Sequence, residues 1–185
     1  MQPNNKIFIT RDWHEEAVNY LCDKKYEVIT WKNITSPTES EIINILKDCV
    51  AIISEFDDKI TNNIINKAPN LKVISNRAVG YENIDIKKAK ERNILVGNTP
   101  GVLVETCADF TMALLLNIAR NITYSNRDVL EGKWQSFYQL PYLGFDIYNK
   151  NLGIIGLGQI GTAFAKRAIN GFNMKTYYWS RNRKL

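Results

Sequence analysis

The sequence predicts an α/β protein in two parts: a helix-flanked parallel sheet, then the opening β-α-β unit of a second one. Three observations predict this. Short apolar runs alternate with segments of helical periodicity across residues 6–96. A Pro-Gly break, Asn98-Thr99-Pro100-Gly101, interrupts the alternation and reads as a hinge. A new strand-to-helix step at 152–161, LGIIGLGQIG, carries Gly156, Gly158 and Gly161 in the spacing G-x-G-x-x-G.

Residues 6–10 (KIFIT) read as the first strand. Trp13, Ala17, Val18 and Leu21 then recur at helical spacing over 12–21. A second strand covers 26–31. Ser36-Pro37-Thr38-Glu39 reads as a capping box with proline at the first helical position. The helix it opens turns Ile42, Ile43, Ile45 and Leu46 inward. Residues 50–54 form a fully apolar third strand. Thr61 starts a short helix that must end near Ala68, because Pro69 follows. Strand 71–75, a helix capped by Asn83-Ile84-Asp85 and ending near Glu91, and strand 94–96 complete the first part. Apolar strands throughout are the mark of a parallel sheet covered on both faces.

After the hinge, a long helix is predicted over 104–122 and a second through Glu131. Residues 134–148 are aromatic and irregular. The glycine turn follows, then a helix over 162–169 and a strand over 175–179. The fold class is therefore a flavodoxin-like or Rossmann-like parallel-sheet domain plus the first β-α-β of a Rossmann dinucleotide-binding domain. An isolated β-α-β leaves both sheet faces and an edge uncovered. The second domain is accordingly expected to continue beyond residue 185.

Composition narrows the function classes. The 185 residues are 45% hydrophobic and 23% charged, ordinary for a globular protein. The longest apolar stretch, 108–119, contains Asp109 and Asn117 and is too short and polar to span a membrane. Residues 1–6 are polar, so no secretory leader is expected. Cys22, Cys49 and Cys107 are odd in number, with no CxxC pair, which predicts a reducing, cytoplasmic setting. The net charge of +5 is scattered except at Arg181, Arg183 and Lys184, so no nucleic-acid partner is expected.

The glycine turn carries the clearest chemistry. Gly156 permits a tight turn, Gly158 lets backbone approach a pyrophosphate, and Gly161 lets helix pack on strand. The helix after it directs free N–H groups and its positive dipole end at phosphates. The second motif is the strand end at 179–184, WSRNRK. An acid there binds the ribose 2′-hydroxyl of NAD, whereas arginine accommodates the 2′-phosphate of NADP. Ser180, Arg181 and Arg183 with no acid point to NADP; the competing reading is a solvated basic segment. The third is the loop 75–85, SNRAVGYENID, at the carboxyl end of a strand. The N–H groups of Val79 and Gly80 could face a small anion there, or the loop could be a simple connection. His14, the single histidine, reads as a surface residue, and Cys107 as a buried inert thiol.

Four stretches carry a resemblance: LKVISNRAVGYENIDI, VGNTPGVLVETCADFTMALLLNIAR, NLGIIGLGQIGTAFAKRA and GFNMKTYYWSRNRK. Their order and spacing resemble the D-isomer-specific 2-hydroxyacid dehydrogenases, nearest the glyoxylate/hydroxypyruvate reductase branch. The resemblance implies a substrate domain over 1–99, completed by a final C-terminal helix, and an NAD(P)-binding domain from 100 to 185, incomplete here. It implies hydride transfer between NAD(P)H and a small 2-oxo acid, and a homodimer built mainly through the cofactor domains, with 108–148 contributing. Val79 and Gly80 would hold the substrate carboxylate, with Glu55 and Phe56 flanking the substrate. Leu157, Gly158, Gln159 and Ile160 would contact the pyrophosphate, between Gly156 and Gly161. Ser180, Arg181 and Arg183 would recognise the 2′-phosphate, with NAD as the alternative cofactor. Cys107 stands near the nicotinamide, where relatives usually have threonine.

The family's catalytic arginine, its supporting acid and its acid/base histidine map to no residue of this sequence, and His14 lies on the wrong element. The 185 residues alone are thus expected to show no appreciable turnover. A non-catalytic dinucleotide-binding, regulatory or dimerising module is the alternative, since the family includes dinucleotide-sensing corepressors. One residue is extra in 168–172, which must either rotate the helix end by about 100° or be absorbed as a bulge.

Overall fold

A computed structural model describes residues 5–12, 15–137 and 140–184. The chain divides into two compact units, Met1–Pro100 and Gly101–Leu185. Trp13 and His14 lie outside the described residues.

The first unit runs β1 (Lys6–Ile9), α1 (Glu15–Asp23), β2 (Glu27–Thr30), α2 (Glu39–Leu46), β3 (Cys49–Glu55), α3 (Asn62–Lys67), β4 (Val73–Arg77), α4 (Ile86–Glu91) and β5 (Leu95–Gly97). The five strands form one parallel sheet in the order β2-β1-β3-β4-β5. Phe8, Ile52 and Ile74 on its inner strands are fully buried with Ile42, Leu46, Ile64 and Ile65 from the helices. Each such side chain contributes about 1.5–3 kcal/mol on leaving water. Beyond β3 and β4 the pairing continues through one parallel bridge, Ile60 to Ile84, which ties together the loops after the two strands.

Local chemistry explains most boundaries. Thr61 caps α3 by accepting the Ile64 N–H, and Asp85 caps α4 by accepting the Lys88 N–H, both where the sequence places them. The capping box of α2 lies two residues later than expected. Thr38 is its N-cap and Glu41 its reciprocal partner, with Pro37 outside the helix. Ser36 is diverted: its hydroxyl accepts from Arg11 and donates to Asp57.

The second unit contains α5 (Val104–Ala119), α6 (Ile122–Leu130), a 3₁₀ turn at Leu140–Tyr142, β6 (Asn151–Ile155), α7 (Gln159–Phe172) and β7 (Lys175–Trp179). The helix predicted to reach 122 stops at Ala119, because Asn121 adopts a left-handed conformation, φ 52°. Gly144 lets the following loop lie directly on the end of α5, where Phe145 N–H donates to the Ala119 carbonyl (2.7 Å). β6 and β7 pair in parallel. Ala108, Met112 and Ala119 of α5 bury against Ala163, Phe164 and Ala168 of α7, with Ile154 beneath. One face of the two-stranded sheet is therefore covered, not neither as expected. The other presents Ile155, Tyr177 and Trp179, all exposed. The extra residue of 168–172 causes no bulge. α7 continues unbroken through Phe172 and ends at left-handed Asn173, whose N–H returns to the Ala168 and Ile169 carbonyls.

Candidate functional site

In the second unit the glycine turn joins β6 to α7. Gly156 has φ 97°, a conformation that side chains with a Cβ rarely adopt, and its N–H donates to the Trp179 carbonyl (2.8 Å). The turn is thereby held against the end of β7. Gly161 faces backbone: an added Cβ would collide with the Gly156 carbonyl oxygen. Gly158 is the N-cap of α7 and has open space on its Cβ side. The helix begins three residues earlier than predicted, so Gln159 and Ile160 belong to its first turn, where backbone N–H groups have no intrahelical acceptor.

A cavity of about 510 Å³ opens beside this turn, lined by Leu157, Gly158, Gln159, Thr162, Lys166 and Lys184 among others. An unhindered glycine, a helix N-terminus and two ammonium groups suit a pyrophosphate-bearing cofactor. Ser180 is half-buried, and Arg181 and Arg183 are exposed just beyond β7. Neither arginine lines the cavity; Lys166 and Lys184 do. Lys184 is placed by Tyr178, whose hydroxyl accepts from the Lys184 N–H (2.9 Å) and donates to its carbonyl (2.8 Å). The sequence signal for Lys184 was its place in the basic run; Lys166 gave none. Cys107 is half-buried on α5, outside the cavity lining, and its carbonyl accepts from the Thr111 hydroxyl.

In the first unit the loop after β4 carries Val79 and Gly80. Their two N–H groups have no hydrogen-bond partner among the described residues. The neighbouring carbonyls are all engaged: Ala78 by the Thr99 N–H (2.8 Å), Val79 by the Asn98 amide (2.7 Å) and Gly80 by the Asn76 amide (2.9 Å). Gly80 does not have a positive φ; an added Cβ would instead meet the Glu82 carboxylate. Asn76 is buried, and every polar capacity of its amide is met by Ser54, Gly80 and Asn83. Asn83 donates onward to the Glu55 and Asp58 carbonyls. Sequence reasoning missed this pair of asparagines, whose partners lie up to 28 residues away.

Glu55 turns inward, its buried carboxylate 2.6 Å from the Arg77 guanidinium. Phe56 is 72% exposed and lines a groove of about 820 Å³ with Lys59 and Glu82. Strand order reverses between β1 and β3, the usual ligand crevice of an open parallel sheet. Here the protein fills that point itself. Arg11 pairs with Asp57 (2.9 Å) and Asp58 (3.0 Å), and buried Asp58 also accepts from the Thr10 hydroxyl and the Glu55 N–H. The carboxyl end of β4 is left as the open loop.

These two arrangements, a pair of open amides and a strand–glycine turn–helix unit, lie within one family match. The model of the D-isomer specific 2-hydroxyacid dehydrogenase catalytic domain matches residues 7–178. The chain belongs to the D-isomer specific 2-hydroxyacid dehydrogenase family. Curated relatives include a glyoxylate reductase of Korarchaeum cryptofilum, 41% identical over 180 residues, covering 97% of this chain and 54% of the relative. Another is the glyoxylate reductase of Thermococcus litoralis, 41% identical over 183 residues, covering 97% and 55%. The chain thus spans about half the length of the curated relatives it matches. Among solved structures, the TT0316 protein of Thermus thermophilus superposes with a TM-score of 0.92 at 34% identity, covering 97% of this chain and 57% of that one. The Rossmann-like α/β class is the fold of this dehydrogenase family, whose members use NAD or NADP.

Proposed function

We propose that this dehydrogenase chain belongs to an NADP(H)-dependent reductase of glyoxylate or hydroxypyruvate, carrying its carboxylate-holding loop and its phosphate cradle. The observation that carries the reading is the β6–glycine turn–α7 unit, open at Gly158, beside a strand β7 that is followed by Ser180, Arg181 and Arg183 with no acid. Gly156, Leu157, Gly158, Gln159, Ile160 and Gly161 form the pyrophosphate cradle. Ser180, Arg181 and Arg183 take the 2′-phosphate by charge-assisted hydrogen bonds. Bound NADPH supplies the hydride. Val79 and Gly80 donate to the substrate carboxylate, with Glu55 and Phe56 at its flanks, and Cys107 stands towards the nicotinamide.

None of the family's catalytic arginine, acid and histidine maps to these 185 residues, so turnover belongs to a form that carries them. The 1–99 part acts as substrate domain and the 100–185 part as cofactor domain. Phe110, Leu114 and Ile118, exposed at four-residue spacing on α5, support homodimerisation through the second unit. A cytoplasmic location fits three unpaired cysteines, and no helix among the described residues is long and apolar enough to cross a membrane.

Fluorescence titration of the chain with NADPH and NADH tests the cofactor reading. Saturable binding that prefers NADPH is expected, and equal or reversed preference overturns it. A steady-state assay with glyoxylate and NADPH tests the division of labour. A normal catalytic rate from the 185 residues alone would overturn that part.

A further inference from the structure

The loop after β4 holds its two open amides in a fixed direction, and it does so through its carbonyls. The peptides are trans, so each N–H points opposite the carbonyl of the preceding residue. The Ala78 carbonyl, held by the Thr99 N–H, therefore sets the direction of the Val79 N–H. The Val79 carbonyl, held by Asn98 Nδ2 at 2.7 Å, sets the direction of the Gly80 N–H. The Gly80 carbonyl, held by Asn76 Nδ2, closes the loop from the other side. The first two clamps come from consecutive residues, Asn98 and Thr99, immediately before Pro100-Gly101.

We propose that Asn98 is a positioning residue for anion binding: it clamps the Val79 carbonyl so that the Gly80 N–H is aimed, with that of Val79, at one carboxylate. This rests on the reading of Val79 and Gly80 as the carboxylate-holding amides. The chemistry favours a clamp because two amides aimed in advance lose little conformational freedom when the anion arrives. It also places the control at the joint of the chain. A backbone change at 98–101 moves the Asn98 amide and the Thr99 N–H together, and with them the aim of both donors.

Asn98 is exposed, so Asn98→Ala removes the clamp without opening the core. The probe is oxamate, added to ¹⁵N/¹³C-labelled chain and followed by amide spectra. In the unsubstituted chain the Val79 and Gly80 cross-peaks shift saturably. Asn98→Ala weakens that binding roughly tenfold, the worth of about one net hydrogen bond. Its thermal midpoint stays close to the original, and Asn98→Gln recovers part of the affinity. Equal oxamate affinity in Asn98→Ala overturns the proposal. Relaxation measurements without ligand judge the clamp independently: the Gly80 amide gains fast motion in Asn98→Ala, and an unchanged order parameter overturns the clamp. No oxamate shift at either amide of the unsubstituted chain would overturn the carboxylate reading itself, leaving the clamp to the relaxation result.

Discussion

Asn76 and Asn83 face one another as a reciprocal amide pair, Nδ2 of each donating to Oδ1 of the other at 3.0 and 3.2 Å. The pair joins the end of β4 to the start of α4 and, through Ser54 and the Glu55 and Asp58 carbonyls, to the end of β3. Removing the buried Asn76 amide leaves the Ser54 hydroxyl, the Gly80 carbonyl and the Asn83 amide each short of a partner. Asn76→Ala is expected to cost about 2 kcal/mol, read as a lower denaturant midpoint with an unchanged slope.

The three glycines of the turn are not equivalent, and alanine substitution separates them. Gly161→Ala drives a Cβ into the Gly156 carbonyl. It should destabilise the second unit by about 1–3 kcal/mol through forced backbone movement. Gly158→Ala has open space and an ordinary backbone conformation, φ −82°. It should leave the melting temperature nearly unchanged yet weaken dinucleotide binding, because on the proposed reading the methyl stands in the path of the pyrophosphate. Calorimetric melting alongside NADPH titration distinguishes the two.

The guanidinium groups after β7 decide between cofactors on the proposed reading. Replacing Arg181 and Arg183 together by alanine should weaken NADPH binding roughly a hundredfold and leave NADH binding little changed. The difference between the two titrations is the measurement. A parallel loss for both cofactors would mean that the arginines act only as general surface charge.

The cap of α2 gives a pH prediction with a definite sign. The Thr38 hydroxyl, then the Thr38 backbone N–H, donate to the Glu41 carboxylate at 2.6 and 2.7 Å and hold its carboxyl below the usual glutamate range. In the unfolded chain Glu41 titrates at its ordinary value. Its contribution is therefore complete above that value and is lost as pH falls through the lowered folded one. Thr38→Val should move the Glu41 titration, followed by carbon NMR, upward. It should also flatten the acid-side fall of the thermal midpoint.

Much of the scaffold was legible because it is local. Thr61 before Asn62 and Asp85 before Ile86 announce helix starts by side chains that reach only three residues ahead. The glycine turn was legible for the same reason. The sequence misplaced the α2 cap because Ser36 bonds to Arg11 and Asp57, which are 25 and 21 residues away. Local pattern cannot see such competition. The same limit hid the bonding roles of Asn76, Asn83 and Asn98. Polar residues in loops look alike until folding shows which carbonyl each one meets. The tie of Glu55 to Arg77 is equally invisible in the sequence, because it depends on the lateral pairing of β3 and β4.

All five strands of the first sheet come from one uninterrupted stretch of chain, β1 to β5, with the two edge positions taken by β2 and β5. During synthesis on a ribosome, every strand of that sheet has been made before the first glycine of the turn is translated. The first unit can therefore bury the side chains between its sheet and helices as an early folding step. The second unit then folds after the strands of the first have found their partners, when few open strand edges are left to mispair with.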